Sequence, residues 1–417
     1  MERLKKYPKY KPSGIEWLGE IPEHWELKKL KYEAKIQGGY AFKSEEFVDN
    51  GMPVVRIGDI STKINLEDCK KTSETNISDE FKLKKYDTLI ALSGATVGKM
   101  CFIEEDINAY INQRVAKVNN GSKYLHFILT SNFFIEQIFL AAGGSAQENI
   151  STNTIGNFII PLPPLPEQTA IANFLDEKTA KIDSLIEKKK KLIELYKEER
   201  TAVINHYVLG QHLIDNSQLT IDNGQLTIDN SQFSIINYQL PPHWEVKKLK
   251  YVCKFEYGES LSVDQREEGN IPVFGSNGIT GYHKNAITLS PCIIVGRKGS
   301  FGKVNWSDKE CFPIDTTYFI DKNKTAENLR FIYFLLITLN LDSISKDTGV
   351  PGLNREDAYS NLVSIPPLEE QQQIVEYIES ETKRIDDKIT RAEKEIELLQ
   401  EYRTALISEV VTGKIKV

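Results

Sequence analysis

Pro164–Gly210 opens PLPEQTAIANFLDEKTAKID, Pro367–Gly413 opens PLEEQQQIVEYIESETKRID, and the two align without a gap at an offset of 203 residues. Within them Gln168 matches Gln371, Ile182–Asp183 matches Ile385–Asp386, and Arg200–Thr201–Ala202 matches Arg403–Thr404–Ala405. Agreement of this extent marks an internal duplication, which sets the architecture before any single element is considered. Each copy follows a Pro-rich stop and ends in a glycine, Gly210 or Gly413, as helix boundaries do. Between those boundaries the helices are amphipathic, with heptad positions that recur at alternating steps of three and four. The first copy runs Ala172/Leu175, Thr179/Ile182, Ile186/Lys189, Ile193/Tyr196 and Arg200/Val203. The second runs Val375/Ile378, Thr382/Ile385, Ile389/Ala392, Ile396/Leu399 and Arg403/Leu406. A 3.5-residue period sustained this long specifies helix-on-helix packing. About 40 residues at 1.5 Å rise gives helices of roughly 60 Å.

A second repeated landmark lies upstream of each helix. Ile21–Tyr32 reads IPEHWELKKLKY and Leu240–Tyr251 reads LPPHWEVKKLKY, at an offset of 219 residues. The unit is therefore a PxHW opening, a variable interior and a long helix, present twice, with the second interior 16 residues shorter. The interiors share little sequence, only short β-rich runs and Gly turns such as LIALSGATVGKM and CIIVGRKGSFGKV. The expected fold class is α+β: two mixed α/β domains separated by two long helices that form an antiparallel coiled coil, with pseudo-twofold duplication. The boundaries read 1–160 for the first domain, 161–210 for the first helix, 211–240 for a linker, 241–364 for the second domain and 365–417 for the second helix. The expected helix interface is Leu175, Ile182, Ile186, Ile193, Tyr196 and Val203 against Ile378, Ile385, Ile389, Ile396, Leu399 and Leu406. Because a globular domain separates the helices in the chain, an antiparallel pair would hold the domains at opposite ends of a rod. The linker is a polar tandem of seven residues, with Asn216, Asn223, Asn230 and Asn237 in phase, and reads as a loop.

Composition narrows the class. The 417 residues suffice for more than one core, and 40% apolar with 27% charged residues is ordinary globular usage. The opening MERLKKYPKYKPSG has no apolar core of a signal peptide, and the longest apolar run, Phe331 to Leu339, is half a membrane span. Five scattered cysteines without C-x-x-C spacing suit a reducing cytoplasm and argue against a disulfide framework or a zinc site. The net charge of −7 weighs against nucleic acid until it is located. Residues 1–160 carry 21 basic and 21 acidic side chains, and 241–364 carry 15 of each. The acidity sits in 211–240 (−3) and 365–417 (−4), leaving both domains neutral.

No catalytic constellation stands out. Gly94-Ala-Thr-Val-Gly98-Lys99 has one residue too few between its glycines for a Walker loop, and Met100 stands where the magnesium-binding hydroxyl belongs. Its counterpart Gly299-Ser-Phe-Gly302-Lys303 is shorter still, so both read as strand–turn–strand elements. No Pro-Pro-aromatic motif led by Asn or Asp is present, and Glu80-Phe-Lys82 lacks the acidic partner of a nuclease site. His24 and His243, each before Trp, read as structural residues at the domain entrance. Basic and polar side chains recur instead at glycine turns: Lys43, Arg56, Ser93, Thr96, Lys99, Asn112, Gln113 and Arg114 in the first domain. In the second they are Ser276, Asn277, Arg297, Lys298, Ser300, Lys303, Asn354 and Arg355. Such side chains on rigid loops suit base edges and phosphates of duplex DNA.

The opening YKPSGIEWLGEIPEHWELKKLKY and the two Pro-Leu-x-Glu-Gln helices resemble type I restriction–modification specificity subunits, over essentially the whole chain. The resemblance implies two target-recognition domains, each reading one half of an asymmetric bipartite DNA site, and a chain without catalytic activity of its own. It implies docking of two DNA adenine methyltransferase subunits that use S-adenosylmethionine, and of motor-nuclease restriction subunits that use ATP and magnesium. The setting would be a cytoplasmic host-defence and DNA-methylation system, with no cofactor bound by this chain. A rival from another class is a coiled-coil scaffold with protein-binding domains; a third is an enzyme using the Gly-Lys turns.

Overall fold

The computed structural model describes residues 5–61, 64–73, 76–143, 149–211, 241–343 and 352–417, so the tandem at 216–240 lies outside the described residues. The chain forms two compact units. The first runs to Lys190 and also takes Glu393–Val417; the second is Lys191–Ala392.

The strands that position the candidate site are, in chain order, β1 (Glu26–Lys29), β2 (Lys35–Gly38), β3 (Met52–Val55), β4 (Thr88–Ala91), β5 (Met100–Phe102), β6 (Ile107–Ile111), β7 (Val115–Asn119) and β8 (Ile159–Leu162). In the second unit they are β9 (Glu245–Lys248), β10 (Glu256–Tyr257), β11 (Ile271–Gly275), β12 (Gly278–His283), β13 (Cys292–Gly296), β14 (Val304–Ser307), β15 (Phe312–Pro313), β16 (Thr317–Asp321) and β17 (Leu362–Ile365). The central strands are apolar without alternation because both faces are covered. Thr88–Ala91 and Cys292–Gly296 are buried at every residue.

The two interiors have the same sheet despite their dissimilar sequences. In the first unit an antiparallel sheet has the order β5-β4-β7-β2; in the second it is β14-β13-β16-β10. Beside each, one pair is parallel, β3 with β6 and β11 with β15. The correspondence extends to single hydrogen bonds. The amide of Gly39 donates to the carbonyl of Val115 and that of Gly258 to Thr317; Ala91 donates to Lys99 and Gly296 to Lys303. Likewise Leu92 donates to Arg114 and Arg297 to Thr316. Gly39 and Gly258 share a further constraint. A Cβ would lie 2.2 Å from the carbonyl oxygen of Asn112 in the first unit and 2.2 Å from that of Ile314 in the second. The backbones approach too closely for any side chain.

The long helices, Leu165–Val208 and Leu368–Val411, have 44 residues each. Their repeated letters now have physical reasons. Glu167 accepts hydrogen bonds from the indole of Trp25 at 3.1 Å and faces His24 Nε2 at 2.7 Å; Glu370 does the same with Trp244 at 3.1 Å and His243 at 2.8 Å. Gln168 Nε2 donates to the carbonyl of Pro163, and Gln371 Nε2 to that of Pro366, both at 2.9 Å. PxHW and Pro-Leu-x-Glu-Gln are thus two halves of one joint. Burial of the Glu167 carboxyl raises its pKa, and the hydrogen bonds from Tyr7, His24 and Trp25 together outweigh that and hold it below the usual carboxylate value. The glycine at the end of the opposite helix closes each joint, with Gly413 against Trp25 and Pro22, and Gly210 against Trp244 and Pro241. Both have φ above +70°, as a helix C-terminus capped by glycine requires.

Within each unit the start of one helix packs antiparallel on the end of the other. Leu175, Ile182, Ile186, Ile193, Ile378, Ile385 and Leu406 are buried, and Tyr196, Val203, Ile389, Ile396 and Leu399 are half-buried. Asp183 accepts two bonds from the Arg403 guanidinium, at 2.9 and 3.2 Å, and Arg200 Nε sits 3.2 Å from Asp386. These are the repeated Ile-Asp and Arg-Thr-Ala positions, each Asp holding the other helix's Arg. Lys189 pairs with Glu395 as well. Reversing one charge with Asp183→Arg is expected to lower stability by about 0.5–1 kcal/mol in urea denaturation, and adding Arg403→Asp to restore most of it. Without that recovery, the pair would have no part in fixing the register. No single helix among the described residues is long and apolar enough to cross a membrane.

Candidate nucleic-acid interface

The candidate residues gather at one end of each sheet, where β4 meets β5 and β6 meets β7. In the first unit Leu92, Ser93, Gly94, Gln113, Arg114, Asn149 and Ile150 line a cleft of about 450 Å³. Three separate turns build it. The Gly94–Lys99 turn has glycines at φ +69° and +78°, and the hydroxyl of Thr96 donates to the carbonyl of Ser93 at 3.1 Å. The Asn112–Arg114 turn is held by Asn112 N–H on the Val55 carbonyl and Val115 N–H on the Asn112 carbonyl. Asn149 closes the cleft through a bridge to Ser93. Gln113, Arg114 and Lys99 are exposed, while the Ser93 hydroxyl is buried with no hydrogen-bond partner among the described residues.

Lys43 and Arg56 stand on neighbouring turns of the same unit and are less alike than the sequence suggests. Each precedes a short turn whose third residue, Glu46 or Asp59, accepts its backbone N–H, at 2.9 and 2.8 Å. Asp59 also lies 3.4 Å from the Arg56 guanidinium and neutralises part of its charge, whereas the Lys43 ammonium is exposed.

In the second unit the equivalent turns bring together Ser276, Asn277, Arg297, Lys298, Lys303 and Arg355. Lys303 Nζ donates to the Asn277 side-chain oxygen at 2.7 Å, tying the β11–β12 turn to the β13–β14 turn. Ser276 donates to the Thr316 carbonyl at 2.7 Å and Arg297 to the Asp315 carbonyl at 2.8 Å. Arg297 and Arg355 both lie over the Tyr257 ring, each 5.1 Å from its centroid, and Lys298 bridges to Gly352. Ser300 is exposed on the intervening turn. Asn354 is committed elsewhere: its side chain accepts the Glu356 N–H at 2.9 Å and caps the helix Arg355–Ser360. Arg355 is partly offset by Glu356 at 3.8 Å. Sequence reasoning missed Asn149 in the first cluster and Tyr257, Asp315 and Thr316 in the second. Tyr257 ends a strand one residue before Gly258, and an aromatic beside an obligatory glycine turn is the signal that would have found it. Among the described residues no group of three His, Cys, Asp or Glu side chains is placed to hold a metal ion.

The sequence pattern of the type I restriction modification DNA specificity domain matches residues 22–195 and again 241–398. The chain belongs to this family. It is similar to the type I restriction enzyme MjaIX specificity subunit of Methanocaldococcus jannaschii, with 23% identity over 96% of this chain and 95% of that protein. It is also similar to the EcoBI specificity subunit of Escherichia coli, with 25% identity over 88% of this chain and 81% of that one. Identity rises to 32% with the MjaVIII specificity subunit of M. jannaschii, where the match covers 48% of this chain and about half (49%) of the relative. A solved structure from work on complex assembly and conformational transition of the type I R-M system shares the fold over 95% of this chain and 99% of that one, with TM-score 0.62 and 15% identity. The specificity subunit pairs two sheet-rich domains with two long helices, and the two family matches coincide with the duplication read from the repeats.

Proposed function

We propose that each domain of this specificity subunit reads one half of an asymmetric bipartite site in duplex DNA through the turns at the end of its sheet. The observation that carries this reading is the convergence of cations and amides from separate turns, on the same scaffold in both units, with different residues in each: Gln113, Arg114 and Lys99 in the first, Asn277, Arg297 and Lys303 in the second. A shared frame with unlike tips fits two unlike half-sites, because phosphate contacts position a protein and base-edge contacts specify the sequence. The helix pair fixes the separation of the half-sites, and the similar surfaces of the two copies dock two DNA adenine methyltransferase subunits. Those partners supply S-adenosylmethionine chemistry, the motor-nuclease subunits supply ATP- and magnesium-dependent chemistry, and this chain acts in the cytoplasm without catalysis of its own. Exchanging residues 33–160 for the corresponding domain of another family member, then sequencing methylated DNA, is expected to change one half of a split motif and leave the other and the spacer intact. A change in both halves would overturn the reading. Affinity for duplex DNA is expected to fall steeply between 50 and 200 mM salt; a scaffold that binds only protein would show no such slope.

A further inference from the structure

The joint explains most letters that the two copies of PxHWExKKLKY share, and leaves a remainder. Pro22, His24, Trp25 and Leu30 are accounted for by the helix joint and the core, as are Pro241, His243, Trp244 and Leu249. Lys28 and Lys247 pair with Glu26 and Glu245. Of the rest, Lys31 Nζ donates to the Asn157 side-chain oxygen at 2.9 Å, while the two tyrosines stand out into solvent. Tyr32 is 71% exposed and Tyr251 is 72% exposed. Lys29, Lys31, Lys248 and Lys250 are exposed, and among the described residues none of the four forms an ion pair with a carboxylate. Lys31 and Lys250 lie 5.4 and 4.6 Å from the centroids of the adjacent Tyr rings, so each turn presents one aromatic flanked by cations.

We infer that this Lys-Leu-Lys-Tyr turn is a docking point, present once in each unit, for two copies of one protein partner with an acidic surface. Identical exposed residues at the entrance of domains whose interiors have diverged fit a partner that is itself the same in both places, and tyrosine is a residue type that anchors protein interfaces. Four exposed lysines whose charge no carboxylate among the described residues offsets complement acidic groups on that partner and steer its approach. The position favours protein over the DNA read by the same domain. Gly38, at one end of β2, pairs with Ala116 beside the reading turns, whereas Lys35 pairs with Asn119 at the other end, and Tyr32 precedes Lys35. In the second unit Gly258 bonds to Thr317 at the reading end, while Lys254, which Tyr251 precedes, bonds to Lys324. The inference rests on the reading above, in which two methyltransferase subunits join the chain, and locates where they are held.

The test uses the full chain with the methyltransferase subunit of its own system as the probe, counted by native mass spectrometry. The unsubstituted chain is expected to carry two copies. Lys31→Glu with Tyr32→Ala is expected to leave one, Lys250→Glu with Tyr251→Ala to leave one, and all four together to leave none, with duplex-DNA affinity and the thermal midpoint of the isolated chain unchanged. Retention of two copies by the four-fold variant would overturn the inference while the reading stands. Retention of two copies with weakened DNA affinity would overturn it in favour of a phosphate contact. An unsubstituted chain that carries no methyltransferase would sink the reading itself.

Discussion

Trp25→Ala is expected to lower the unfolding free energy of the first unit by about 3–5 kcal/mol. Trp25 has no exposed surface and performs three tasks at once. Its indole N–H satisfies a partly buried carboxylate, Glu167; its ring fills the core; and its face receives Gly413 from the far end of the second helix. Truncation opens a cavity and leaves Glu167 with one donor fewer, so the transfer, cavity and desolvation costs add. Trp25→Phe keeps much of the packing and removes the donor, and is expected to cost 1–3 kcal/mol. Glu167 gives the acid side of the same prediction. Its folded pKa is depressed, so its contribution is present above the unfolded carboxylate value near 4.3 and is lost as pH falls through the folded one. Chemical denaturation of the full chain at pH 7 and at pH 4 measures both. A Trp25→Ala variant within 1 kcal/mol of the parent would show that the joint does not hold the unit together.

The joint also shows what a sequence states openly and what it conceals. Because duplicated segments can be compared with each other, the chain marked Glu167, Gln168, Asp183 and Arg200 as important without revealing the reason. Each Glu reaches a Trp–His pair more than a hundred residues away, and each Asp holds an Arg on the other helix. Heptad periodicity predicted helix pairing because a 3.5-residue repeat is a local signal with one physical cause. The sheets were far less legible. Strands as short as Glu256–Tyr257 and Phe312–Pro313 carry too few residues for alternation to register, and buried central strands do not alternate at all. The candidate site was readable only as a set of turns. That Gln113, Arg114 and Asn149 would share a cleft depends on the Ser93–Asn149 β-bridge, between residues far apart in sequence, and that Asn354 would spend its side chain on a helix cap depends on where one helix begins.

Arg114→Ala is expected to relax the methylated motif at one base pair of one half-site, with discrimination there falling by about 1–3 kcal/mol, roughly 5- to 150-fold, and the other half-site unchanged. Arg114 is exposed at the rim of the cleft, and its backbone carbonyl is fixed by the Leu92 amide, so the guanidinium extends from a rigid base. A guanidinium presents paired donors that match O6 and N7 of guanine, and on the proposed reading the exposed Gln113 amide beside it offers a donor and an acceptor to a neighbouring base. Loss of a phosphate contact looks different: binding weakens uniformly across sequences and the salt slope falls by about one. Lys43→Ala serves as that control, since its ammonium is exposed on a turn outside the cleft. In the second unit Lys303→Ala frees Asn277 from its 2.7 Å bond and loosens the turn beside Arg297, so relaxation is expected in the other half-site. Methylome sequencing of strains carrying each variant reads all three outcomes. Uniform loss of methylation from Arg114→Ala, with the motif unrelaxed, would place the arginine on the DNA backbone and move base reading to Gln113 and Asn149.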